Sequence, residues 1–100
     1  MLSPSKRGMS VEYRAIVAFT QAGFEVFHNA HSDGPADLIV WDRENLFLID
    51  TKTATKYVRA DGTVTYSTNK NYHPDVLVLG WHEDGWFWAS DVPEALKGVL

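Results

Sequence analysis

The spacing of apolar residues changes several times along the chain, and each change marks an element. Val11, Ala15, Phe19 and Ala22 recur at helical intervals with Ile16 at the edge of the stripe. Ser10 precedes the stripe as a candidate N-cap and Gly23 follows it, so the pattern predicts a helix from Ser10 to Ala22. Phe24 to Asn29 reads as a strand, and AHSDGP after it as a loop of turn residues. ADLIVW (36–41) and LFLIDTK (46–52) read as two further strands joined by DREN. Both are apolar at successive positions, which predicts a sheet covered on both faces for part of its length. YVRADGTVTY reads as a hairpin about Asp61-Gly62, with Tyr57 expected opposite Tyr66. DVLVLGW and GWFWA form a terminal hairpin turning at HEDG, and Ser90 or Asp91, followed by Pro93, opens a short final helix through Leu96. The order is one helix, several strands and a short helix, an α/β chain.

Composition narrows the chemistry. One hundred residues lead us to expect a single domain over 1–100. With no Cys, disulfides, iron–sulfur clusters and Cys-ligated zinc are excluded. No apolar run reaches the roughly 18–20 residues of a membrane span, and MLSPSKRGMS has no signal-peptide core, so a cytoplasmic protein without membrane partners is expected. A net charge of −4 argues against attachment to nucleic acid by bulk charge alone. The charge is segregated, however. Residues 1–23 and 52–72 are net basic, whereas 24–51 and 73–100 are net acidic. An acidic centre flanked by basic segments suits a divalent cation held between phosphate-facing arms; ordinary surface variation gives the same pattern.

The acidic centre contains one geometric deduction. A symmetric turn centred between Arg43 and Glu44 sets Trp41 opposite Leu46, Ile39 opposite Leu48, and Asp37 opposite Asp50. Opposed residues share a face with Cβ atoms about 4.5–5.5 Å apart, and Lys52, two residues beyond Asp50, shares it too. Two carboxylates held this close repel, and a hard divalent cation resolves the conflict with the oxygen ligands it prefers. The adjacent ammonium would offset residual charge, orient water or stabilise a developing phosphate charge. The competing reading is a strand-end salt bridge shared by Asp37, Asp50 and Lys52. Glu12 falls within the apolar arc of the helix, where it is either a first-turn acid favoured by the helix dipole or a functional carboxylate.

Glu12 in the first helix, GPAD ending at Asp37, and LIDTK carrying Asp50, Thr51 and Lys52 together resemble the PD-(D/E)xK nuclease superfamily. The stretch from Ser5 to Val40 looks most like the small Holliday-junction resolvases, with the intron-encoded homing endonucleases of the superfamily nearly as similar. The resemblance implies a restriction-endonuclease-like core, with a central mixed sheet between an N-terminal helix and a short C-terminal helix. It also implies a Mg²⁺-dependent DNA endonuclease, with Mn²⁺ as substitute, that leaves 5′-phosphate and 3′-hydroxyl ends. Carried over residue by residue, Asp37 and Asp50 are metal ligands, the Thr51 carbonyl a third, and Glu12 a ligand directly or through water. Lys52 is then the catalytic lysine, and Ser32 is similar to a serine that some resolvases place near the metal. Three departures stand out: Ala36 replaces the usual Pro, Asp50 the commoner Glu, and residues 53–74 read as hairpin and loop where resolvases carry a helix.

Lys6, Arg7, Lys56, Arg59 and Lys70 are the candidate phosphate contacts, with Tyr57 and Tyr66 available for stacking. A solvated hairpin with a tyrosine pair is the plainer account of the same arm. His28 and His31 are spaced H-x-x-H but lack the further ligands of a zinc site; His73 is a loop residue that could approach a phosphate. Trp81, Trp86, Phe87 and Trp88 read as core or as a dimer interface. The expectation is an endonuclease acting as a homodimer, resolvase-like or, alternatively, site-specific and homing. A non-catalytic DNA-binding module on the same fold, and a small domain with an accidental D-x-K, remain as rivals.

Overall fold

The computed structural model describes residues 4–31, 34–71 and 73–100, and the side chains of the first helix from Ser10 onward. Ser32 and the side chains of Lys6 and Arg7 lie outside the described residues. The helix, α1, spans Pro4–Gln21 and so begins at Pro4 rather than at Ser10. Proline fits a first helical turn, where its missing N–H would have had no helical partner. The C-terminus ends as expected. Gly23 takes φ +96°. Its N–H donates to Thr20 C=O at 3.1 Å, and Phe24 N–H donates to Phe19 C=O at 3.0 Å. This paired closure, with glycine in the left-handed region, ends the helix and turns the chain into the sheet.

The strands are β1 Glu25–His28, β2 Leu38–Trp41, β3 Leu46–Thr53, β4 Thr55–Val58, β5 Val64–Ser67, β6 Val76–His82 and β7 Gly85–Trp88. Five form one sheet in the order β1-β2-β3-β6-β7, while β4 and β5 form a separate two-stranded ribbon. All neighbours in the large sheet are antiparallel except β3 and β6. A parallel pair needs a crossover, which is usually a helix. Here the crossover is the ribbon together with residues 68–75. The chain ends in a 3₁₀ turn, Glu94–Leu96, where the sequence pattern suggested a short helix. Only Leu96 of that turn is buried, so one turn is enough to seat the apolar residue that matters.

Alternation divides the sheet into two faces. Leu38, Val40, Ile49 and Leu79 join Ala15 and Phe19 of α1 and Leu96 in the buried core. The opposite face carries Phe27, Ile39, Leu48, Asp50, Lys52, Val76 and Val78. Its cover is uneven: Val76, Val78 and Asp50 are buried, whereas Phe27 is 50% exposed. The expected two-sided cover therefore extends over β3 and β6 but not out to β1.

The ribbon corrects one pairing. Lys56 lies opposite Tyr66, and Tyr57 opposite Thr65, so the two tyrosines do not face each other. Arg59 N–H donates to Thr63 C=O and Gly62 N–H to Arg59 C=O. Gly62 sits at φ +87°. The loop is thus a turn followed by a left-handed glycine bulge, whose odd number of residues shifts the register by one.

At Gly80 any side chain would force the Phe87 ring to shift. An added Cβ would lie 2.5 Å from Cζ of Phe87, whose ring covers the glycine. Gly80→Ala is expected to destabilise the fold by about 1–3 kcal/mol, as overpacking does. Chemical denaturation checks this, and the loss should shrink in a Phe87→Leu background, where the clashing ring is gone.

Candidate functional site

The hairpin β2–β3 pairs Trp41 with Leu46, Val40 with Phe47, Ile39 with Leu48 and Leu38 with Ile49, the register expected from its turn. Asp37 stands immediately before this ladder. Its N–H donates to Ile49 C=O at 2.9 Å and its C=O accepts from Asn29 N–H at 2.8 Å. Its carboxylate oxygen Oδ2 accepts from Thr51 N–H at 2.8 Å and from Thr51 Oγ1 at 2.9 Å. Backbone and side chain are therefore fixed together, and Thr51 acts as the anchor of Asp37.

Asp50 projects from the face away from α1 and is 6% exposed. Lys52 follows on the same face, with Nζ 3.3 Å from Asp50 Oδ2. Burial raises the pKa of Asp50 above its ordinary value of 3.8; a hydrogen bond from Asn71 opposes the rise, the adjoining Asp37 carboxyl adds to it, and the Lys52 charge opposes it again. The ladder ends at Leu38 and Ile49, so Asp37 and Asp50 are not a paired position as the turn geometry suggested, but the Asp37 carboxyl is near enough to act on Asp50, and Lys52 pairs with Asp50.

Asn71 was not found from the sequence. Its Nδ2 donates to Asp50 Oδ2 at 2.9 Å and to Pro35 C=O at 2.7 Å. It lies in the polar run NKNYH, which has no period, and only the folded crossover brings it to the carboxylates. Glu12 is placed differently. Its Oε2 lies 2.9 Å from His28 Nε2, with its side chain 23% exposed. Among the described residues no three His, Asp or Glu side chains gather into a metal-holding group, so Glu12 stands apart from the Asp37–Asp50 pair. The partly buried Glu on the apolar stripe thus meets a histidine of β1.

The basic candidates are dispersed. Lys56 Nζ is 2.9 Å from Asp84 Oδ2, an oxygen that also accepts from the Tyr66 hydroxyl. These donors hold Asp84 below the usual carboxylate range, the tyrosine first and the lysine second. Tyr66 further packs on Phe87 and His82, with ring centroids 5.7 and 5.4 Å apart. Lys56 and Tyr66 therefore clip the ribbon to the β6–β7 hairpin. Arg59 and Lys70 are exposed, Arg59 at the ribbon tip. His31 and His73 are also exposed.

The architecture is similar to that of a nuclease. The solved structure of a bacterial homing endonuclease, I-Ssp6803I, matches with a TM-score of 0.67 over 94% of this chain and 80% of that one, at 13% sequence identity. No protein-family model matches the sequence, and no curated protein matches it. Among the described residues no helix is long and apolar enough to cross a membrane.

The raised pKa of Asp50 has a defined consequence for stability. A carboxyl whose folded pKa exceeds its unfolded value binds more protons when folded, so its contribution falls as pH rises between the two values. In metal-free protein, Asp50→Asn is expected to melt at a higher temperature than wild type at neutral pH. The gap should vanish below about pH 4, where an unfolded-state Asp protonates as well. Thermal melts from pH 3 to 8 in EDTA, read as about 4–8 °C per kcal/mol for a chain of this size, provide the check.

Proposed function

We propose that the protein is a Mg²⁺-dependent DNA endonuclease of the PD-(D/E)xK superfamily that hydrolyses phosphodiester bonds. The observation that carries the reading is the buried Asp50 beside Asp37 with the Lys52 ammonium 3.3 Å away. The donor set fits the cation: both ligands are hard carboxylates whose mutual repulsion a divalent ion would relieve, and Mg²⁺ is commonly bound by one or two carboxylates while retaining water. Mn²⁺ accepts the same oxygens. The Thr51 carbonyl, on the strand edge from which its N–H reaches Asp37, is the proposed third protein ligand. Glu12 would join through water after leaving His28. When bound, the cation supplies charge that polarises a phosphoryl group and eases deprotonation of water.

The chain's own groups do the remainder. Asp37 and Asp50 bind, with Thr51 fixing the first. Lys52 places positive charge where negative charge grows on the phosphate, and orients the attacking water. Asp84 keeps the ribbon against the sheet through Lys56, which is thereby taken out of the candidate phosphate contacts, while Arg59, Lys70, Lys6, Arg7 and Ser32 are the proposed DNA contacts.

The ribbon favours a site-specific, homing-type enzyme over a junction resolvase. It occupies the crossover in which resolvases carry a helix, and a two-stranded ribbon enters a major groove. One face, opposite that of Lys56 and Tyr66, presents Thr55, Tyr57, Arg59, Thr63, Thr65 and Ser67, all able to hydrogen-bond. A single site cuts a single strand, so cutting both strands of a duplex requires two copies, proposed as a homodimer.

Cleavage of labelled duplex, four-way junction, single strand and mixed genomic DNA tests the reading. Wild type should cut duplex at a defined sequence with Mg²⁺ and not in EDTA. Asp50→Ala should be inactive, and Lys52→Ala slower by about 10²–10³-fold, the usual cost of losing a preorganised charge stabiliser. Nicks confined to the junction would instead make it a resolvase. Binding without cleavage in Mg²⁺ or Mn²⁺ would leave a DNA-binding module.

Arg59→Ala separates recognition from chemistry. If Arg59 reads a base, discrimination at one position should fall by about 1–3 kcal/mol. If it meets a phosphate, binding should weaken at all sequences and the salt slope drop by about one. Equilibrium binding across salt concentrations and site variants distinguishes the two, and the cleavage rate of bound DNA should change little in either case.

A further inference from the structure

We infer that Asn71 is a positioning residue for the Asp37–Asp50 site, tying both carboxylates to the crossover that carries the ribbon. The inference rests on the endonuclease reading and names a residue that controls how that site is held.

All three polar functions of the Asn71 amide are engaged. Its Nδ2 donates to Pro35 C=O at 2.7 Å and to Asp50 Oδ2 at 2.9 Å, and its Oδ1 accepts from His73 N–H at 2.9 Å. Exchanging O and N would set a carbonyl oxygen against two acceptors, so one orientation alone satisfies the group. Two of the three contacts reach separate parts of the chain, and the third is a local turn. Pro35 lies in the loop two residues before Asp37, Asp50 lies in β3, and His73 leads into β6. One amide thus references both carboxylates to the same point.

Lys52 approaches the same oxygen of Asp50, at 3.3 Å, from a side chain that is 31% exposed. A long, flexible cation at that distance defines a carboxylate's rotation poorly. A planar amide tied to backbone on two sides defines it well, as partners of metal ligands generally do. With Asn71 holding Asp50, Lys52 is free to turn towards a phosphate without releasing the ligand. Asn71 also lies four residues beyond Ser67, the end of β5.

The test compares wild type, Asn71→Ala and Asn71→Ser. Serine can still accept from the His73 N–H as a local turn does, but its side chain is too short to span Pro35 and Asp50 together. Mn²⁺ binding without DNA is measured by titration calorimetry, DNA binding in EDTA by anisotropy, and cleavage as a function of Mg²⁺. Both variants should bind Mn²⁺ about 10–100-fold more weakly, the usual effect of losing a ligand's partner. The Mg²⁺ needed for half-maximal cleavage should rise by a similar factor, with the rate at saturating Mg²⁺ near wild type and DNA affinity in EDTA unchanged. Wild-type Mn²⁺ affinity and Mg²⁺ requirement in folded Asn71→Ser would overturn the inference, and so would loss of fold in both variants, which would make Asn71 structural. If wild type itself takes up no Mn²⁺ and cuts no DNA, the endonuclease reading falls too, and the wild-type arm shows this independently of the variants.

Discussion

The four residues Asp42–Asn45 decide how β2 meets β3, and nearly everything else follows from that meeting. Asp42 Oδ1 accepts the N–H groups of Glu44 and Asn45 at 2.9 and 2.7 Å, closing the turn on itself. Arg43 adopts φ +82°, a conformation unfavourable for a side chain, with its guanidinium 5.0 Å from the Trp41 ring centroid. In the resulting register Leu38, Val40 and Ile49 face α1, and Asp50 and Lys52 face away. A slip by one residue would expose the first set and drive the charged set into the helix. Burial of the core and assembly of the site are thus one constraint viewed from two faces of a hairpin.

This coupling explains how like charges can be kept close together. Isolated carboxylates would separate, but Asp37 and Asp50 belong to backbone locked by apolar packing on the opposite face. Thr51 and Asn71 offer each of them a hydrogen-bond donor, which moderates the repulsion without removing it. The site is held in an arrangement less stable than a neutral one would be, as binding and catalytic sites commonly are.

The legible part of the molecule was the part governed by period and local turn chemistry. The end of α1 was readable because glycine alone suits the left-handed position after Ala22. The β2–β3 pairs, and the shared face of Asp50 and Lys52, followed from symmetric turn geometry. The same reasoning failed at the ribbon, where the bulge at Gly62 adds one residue and separates Tyr57 from Tyr66. The start of α1 was missed because a Ser beside an apolar stripe looks like a cap even when the helix runs through it. Glu12 was correctly marked as unusual, but its partner His28 lies on a strand whose placement no local rule reveals. Asn71 was invisible for a related reason: its partners Pro35 and Asp50 are brought to it only by the fold, and side-chain amides in polar runs carry no signature of the contacts they will make.

The crossover between the parallel strands has a consequence for how such a chain could diversify. Because β3 and β6 are joined by a ribbon that is not a member of the main sheet, that insert can lengthen or change its outward residues without altering any ladder that holds the carboxylates. The surface of the insert and the carboxylate pair can then vary separately within one hundred residues. Among the described residues, one seam is Asp84, where the ribbon is clipped to the β6–β7 turn, and another is Asn71, where its exit reaches Asp50. An insert that kept partners for both would bring a new surface to an old centre, whereas one that broke either would disturb how that centre is held.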